Sequence, residues 1–124
     1  MKQFEISVNN RPGEIAKVTD ILASNGINIM AIASERCDNP IIRIVTDDEQ
    51  STRNALTKAS MKFRENELTV IELMDRPGEL AKVAKRLARA GINVESIHLL
   101  NKGGKITSVA LVTDNQEKTY EILH

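Results

Sequence analysis

The stretches NNRPGEIAKV (residues 9–18) and MDRPGELAKV (residues 74–83) set a polar side chain, a Pro-Gly turn and an acid in one order, twice within 124 residues. Pro12 and Pro77 fix their own φ and lack an N–H, while Gly13 and Gly78 admit unusual dihedrals and close backbone approach. The residues that follow begin a helix, whose first amides have no intrahelical acceptor and so attract a carboxylate. Asn10 offers an acceptor and two donors beside that end, and Asp75 offers a charged acceptor suited to an ammonium. A molecule with both groups on one carbon would satisfy such a turn. A plainer role is open to the same residues: Asn10 and Asp75 as helix caps, Asn28 and Asn93 satisfying backbone groups at a strand end. The dipole alone favours Glu14 and Glu79 in a first helical turn, and Arg11 and Arg76 read as solvated or salt-bridged before they read as anion clamps. The co-occurrence favours a ligand, because Asn28 follows Asn10 by 18 residues and Asn93 follows Asp75 by the same 18.

The elements that must position these residues come from a duplication. A shift of 65 superposes residues 4–29 on 69–94 with 13 of 26 positions identical, and IVTDDEQ matches LVTDNQE at a shift of 67. Two residues are therefore inserted in the second copy, most simply within NKGGK at 101–105. In each copy a period-2 run (Phe4, Ile6, Val8; Ile71, Leu73) predicts a half-buried strand. Apolar residues at helical spacing follow (Ile15, Val18, Ile21, Leu22; Leu80, Val83, Leu87), ending at Gly26 and Gly91, where glycine closes a last turn. INIMAIAS and PIIRIVT, matched by INVESIHLL and ITSVALVT, read as strands, with Gly103-Gly104 turning the second hairpin. Weaker helices span about 49–59 and run on from about Gln116, and residues 61–65 can supply a closing strand. The expected class is α+β: two ferredoxin-like βαββα(β) repeats, 1–65 and 66–124, each an antiparallel sheet with helices on one face, the second without its closing strand.

Composition narrows the function. Seventeen basic residues balance seventeen acidic ones, and Phe4, Phe63 and Tyr120 are the only aromatics, so neither a polyanion nor a membrane surface is favoured and nothing stacks bases on the middle strands. No nucleic-acid partner is expected. Cys37 stands alone, which excludes an internal disulfide or a Cys-x-x-Cys metal loop and fits a reducing compartment. It reads as a plain small residue. No apolar run approaches about 20 residues and the first residues already alternate like a strand, so the expectation is a cytoplasmic protein without membrane span or leader. An acylphosphatase-like arginine in the first loop would need a phosphate cradle that Pro12 breaks. His98 and His124 lack counterparts in the first copy and any nearby nucleophile, and both read as surface residues. Lys102-Gly-Gly-Lys105 lacks Walker spacing and reads as a hairpin tip. No enzyme, cofactor or metal site is expected.

NRPGEIAKV...NGINI and DRPGELAKV...AGINV each resemble the signature of the ACT domain, the amino-acid-sensing module of biosynthetic enzymes and regulators, and the resemblance covers both copies. It implies a free amino acid bound between two domains, the turn of one and the second-strand start of the other supplying contacts. Carried over residue by residue, Asn10, Pro12, Gly13 and Glu14 would share a site with Asn93, and Asp75, Pro77, Gly78 and Glu79 one with Asn28. The resemblance also leaves room for a subunit that regulates a biosynthetic enzyme, such as an acetohydroxyacid synthase, without a ligand of its own.

The short connection between the copies constrains how they pair. With strand order 4-1-3-2 and copies joined through their second strands, the closing strand and the next copy's first strand lie roughly 25–30 Å apart. A connection of about four residues near Asn66 spans only ~14 Å. Either 61–65 is linker, or the copies do not pair side by side in one chain. Together with Leu68, Val70 and Met74 on the outward face of a strand, where copy one carries Glu5 and Asn9, this favours a homo-oligomer, most simply a dimer.

Overall fold

A computed structural model describes residues 1–35, 38–101 and 103–124; Cys37 and Lys102, weighed above, lie outside the described residues. The chain divides into two compact units, Met1–Asn66 and Glu67–His124. The first runs β1 (Lys2–Ser7), α1 (Glu14–Ser24), β2 (Ile29–Glu35), β3 (Ile41–Thr46), α2 (Glu49–Lys58), β4 (Phe63–Glu67). The second runs β5 (Thr69–Met74), α3 (Glu79–Arg89), β6 (Val94–Asn101), β7 (Ile106–Thr113), α4 (Gln116–Leu123). Sheet order is β2-β3-β1-β4 in one unit and β5-β7-β6 in the other. The expected α+β repeats are therefore present, and among the described residues the second has no closing strand.

Pairing of Phe4 with Ile44 and of Ile6 with Ile42 puts all four side chains on one face of the first sheet. They form one core with Val18 and Leu22 of α1 and Ala55 and Leu56 of α2, so both helices cover that face. The second unit repeats the plan with Ile71, Val109 and Leu111 against Val83 and Leu87. Both first helices close in the same way. Gly26 and Gly91 are left-handed (φ +68° and +73°), and the next amides, Ile27 and Ile92, donate back to Leu22 and Leu87. That is a Schellman end, with its apolar contact supplied by the same residue pairs in the cores.

The closing strand is present, at Phe63–Glu67 rather than 61–65. Ser60 (φ +57°) and Met61 belong to the helix exit, because the Met61 amide donates to Leu56 and the Ser60 amide to Thr57. Residues 61–65 are thus not a linker. The faces away from the helices differ from expectation too. His98, read above as a surface residue, is buried and pairs across from Ala110 on that face of the second sheet, whereas His124 is exposed and stacks on Tyr120.

Candidate functional site

Each Pro-Gly segment forms one rigid turn. Gly78 adopts φ +90°, ψ −13°, and the Glu79 amide donates to the Arg76 carbonyl at 3.4 Å, the pattern of a type II turn with Pro77 first and glycine second. Gly13 has the same left-handed geometry, φ +93°, ψ −8°. Both glycines are the residues at which the helices start, and neither helix end carries a side-chain cap. The first intrahelical bonds run from Lys17 to Gly13 and from Lys82 to Gly78, which leaves the preceding amides without a side-chain acceptor. Asn10 and Asp75 therefore do not cap these helices.

Glu14 and Glu79 fold back onto their own turns. The buried Glu14 carboxylate accepts from the Asn9 amide at 3.3 Å and from Arg11 Nε at 3.0 Å. Glu79 accepts from Arg76 Nε at 2.5 Å and from Lys82 Nζ at 3.4 Å. The hydrogen bond from Arg76, reinforced by Lys82, holds the Glu79 carboxyl below the usual carboxylate range. Arg11 and Arg76 are thus salt-bridged within the turn. The side chains of Asn10 and Asp75 stay exposed, with no hydrogen bond among the described residues.

A cleft of about 250 Å³ opens at the first turn, lined by Asn10, Pro12, Gly13, Glu14, Ile15, Ser34, Pro40 and Ile42 among others. One of about 170 Å³ opens at the second, lined among others by Asp75, Glu79, Leu80, Leu99, Thr107 and Val109. Both occupy the same place in their units. Each turn follows the end of a first strand, which in the first unit lies beside the start of β3 and the end of β2.

Asn28 and Asn93 stand elsewhere. Each immediately precedes the second strand's start, and the seven residues of β2 span about 20 Å, so within one unit the Asn and the turn sit at opposite ends of the sheet. Asn28 exchanges two bonds with Asp47: its amide donates to the carboxylate at 3.1 Å and its carbonyl accepts from the Asp47 amide at 3.2 Å. Asn93 and Asp114 repeat this at 2.9 and 3.1 Å. A β-bulge follows each, between Ile29 and Ala31 and between Val94 and Ser96. The backbone is pinned while both side-chain amides remain exposed without a hydrogen bond among the described residues. Behind them, paired hydroxyls fasten the third strand to the second helix. Thr46 and Thr52 lie 2.7 Å apart, as do Thr113 and Thr119, and Asp48 and Asn115 cap α2 and α4.

Asp47, Asp114, Ser34 and Thr107 had not been singled out from sequence. The repeated VTDD and VTDN signalled the aspartates, but Ser34 and Thr107 reach the clefts only through strand register. Among the described residues no three His, Cys, Asp or Glu side chains gather where a metal could be held, and no helix is long and apolar enough to cross a membrane.

The family model of an ACT domain pair matches residues 1–124. The chain belongs to the ACT family. This ACT pair is similar to the protein BT0572 from Bacteroides thetaiotaomicron, at 26% identity over 98% of this chain and 85% of that one, TM-score 0.88. Its fold is also that of the ligand-free regulatory subunit of aspartate kinase from Thermus thermophilus (21% identity, 99% and 89% covered, TM-score 0.70) and of its counterpart from Thermus flavus (18%, 99% and 90%, 0.67). No curated protein matches the chain.

Proposed function

We propose that this ACT pair is a non-catalytic regulatory protein that senses a free amino acid at its two Pro-Gly clefts. The observation that carries the reading is the duplicated combination of an uncapped helix start, a cleft and an unengaged polar side chain, Asn10 in one unit and Asp75 in the other. The uncapped amides suit the ligand's carboxylate, and Asn10 or Asp75 suits its ammonium. At 170–250 Å³ the clefts fall below the roughly 300 Å³ at which drug-sized sites begin, which suits a molecule of amino-acid size.

In this reading a second ACT unit completes each site with its Asn28 or Asn93, since neither Asn can reach the turn of its own unit. Edge strands β2 and β6 carry exposed Met30, Ile32, Ile97 and Leu99, apolar side chains suited to such a neighbour and to a homodimer. Ligand binding then shifts the packing of the units, and a separate biosynthetic enzyme or regulator responds to the shift. The regulatory-subunit names of the two Thermus proteins support such a partner. The cytoplasm is the compartment in which free amino acids would be sensed. The alternative, a ligand-independent subunit of an enzyme such as acetohydroxyacid synthase, uses the same apolar edges without the clefts.

A thermal-shift panel of the twenty amino acids separates them. Sensing predicts saturable stabilisation by one chemical class, about 2.7 kcal/mol at a hundredfold excess over Kd. A flat response to every amino acid at millimolar concentration contradicts it.

A further inference from the structure

We infer that the helix face of the second unit docks a second copy of this chain, the basic outer side of α3 in each copy lying against the acidic outer side of α4 in the other. The inference is independent of the amino-acid reading and of the edge strands β2 and β6. α3 turns Val83 and Leu87 into the core. At about 100° per residue its opposite side carries Ala81, Lys85, Ala88 and Arg89, all exposed. α4 buries Thr119 and half-buries Ile122 and Leu123, which leaves Glu117 and Glu121 outermost and exposed. The side chains of Lys85, Arg89, Glu117 and Glu121 make no hydrogen bond or ion pair among the described residues.

The first unit does not segregate charge at these positions. It has Asp20 for Lys85, Ser24 for Arg89, Gln50 for Glu117 and Asn54 for Glu121, and Gln50 donates to Asn54. Four divergences therefore set a basic helix beside an acidic one. The helix dipole accounts for Arg89 in a last turn and Glu117 in a first. It does not account for Lys85 at mid-helix, and it opposes Glu121 in the last turn of α4.

The axial register decides how two such faces meet. Arg86 donates to the Ile122 carbonyl and Lys118 to that of Ala90, so the helices run antiparallel with Ile122 beside Arg86 and Lys118 beside Ala90. Glu121 is then level with Leu87, and Glu117 with Gly91. A two-fold axis lying on this face parallel to the helices keeps every level and exchanges the helices, which lays α3 of one copy over α4 of the other. The second copy's Arg89 falls between Glu117 and Glu121, about 3 Å along the helix from each, and its Lys85 falls about 3 Å from the level of Glu121. The contact is made twice, because such an interface is isologous. Ala81 and Ala88 keep the α3 side low enough for the roughly 8–10 Å at which helices pack. An acidic partner of another kind would satisfy α3 and be repelled by α4; a second copy satisfies both.

Sedimentation equilibrium of the full chain tests this with two charge-reversed variants, Lys85→Glu/Arg89→Glu and Glu117→Lys/Glu121→Lys, and with their mixture. Wild type is expected to associate. Each variant alone should lose one doubling of mass, its association weakened about 10-fold or more, because both patches then oppose like charges. An equimolar mixture should regain that doubling, since each reversed helix meets its reversed complement in both patches. Should a double variant fail to fold, Lys85→Glu, Glu121→Lys and their mixture give the same three readings. Wild type that stays monomeric at about 100 μM, variants that associate as wild type does, or a mixture no larger than its components would each overturn the inference.

Discussion

Replacing Gly78 by alanine isolates the strain on which the turn depends. An alanine Cβ there would meet nothing within 4 Å, so no clash contributes and the cost is that of φ +90° alone. For an L-residue the left-handed region costs about 1–2 kcal/mol. Gly104 supplies the control: its Cβ would also meet nothing within 4 Å, but its φ is not left-handed. Both substitutions stiffen the unfolded chain equally, by about 0.4–1 kcal/mol, so the difference between G78A and G104A is the strain itself. With an m-value of about 2 kcal/mol/M in urea, the G78A midpoint should lie about 0.5–1 M below that of G104A. Gly78→Asn should fall between them, since asparagine tolerates this region better than alanine. Coincident midpoints for G78A and G104A would refute the claim that the turn, and the helix start it exposes, requires glycine.

Other perturbations probe the scaffold around the sites. Thr46→Val leaves the buried Thr52 hydroxyl without one of its two partners and should cost about 1–3 kcal/mol, while the T46V/T52V double variant should cost less than the sum of the singles in a urea double-mutant cycle. Leu22→Ala, at a fully buried position that also closes α1, should lose about 2–5 kcal/mol by the same assay. Asp48, Glu65 and Glu79 are each held below the usual carboxylate range, by bonds to Ser51, Arg53 and Arg76 respectively. Because their folded pKa values lie below the unfolded ones, this stability is present above the ordinary carboxylate range and lost as pH falls through the folded values. Urea midpoints should be flat from neutrality to about pH 5 and fall below it, less steeply in Glu79→Gln.

Local chemistry made most of the fold legible. Gly26 and Gly91 marked the ends of α1 and α3 because a Schellman closure needs a left-handed residue, and alternation marked the strands because each sheet has a helix-covered face. The start of β4 was misplaced because Ser60 takes a left-handed φ without being glycine, so no residue type announced that Met61 belongs to the helix exit. His98 was misjudged because alternation says which face a residue lies on, not whether that face is covered. Of the sites, the two turns could be read directly, since everything they need lies within six consecutive residues. Thr107 and Ser34 could not, because their place beside Asp75 and Asn10 depends on strand registers that no single stretch encodes. Asp47 and Asp114 fall between these cases: the repeated Thr-Asp pair was visible, but its exchange of bonds with Asn28 and Asn93 spans 19 and 21 residues.

Under the function proposed above, the two turns hold a free amino acid, each together with Asn28 or Asn93 of a second ACT unit. Equilibrium titration of the stabilising amino acid into wild type, Asn28→Ala and Asn93→Ala tests it most directly. Saturable binding by wild type and weaker binding in each variant are expected, with melting temperatures little changed because both side chains are exposed and make no hydrogen bond among the described residues. Wild-type affinity in both variants would contradict the shared site.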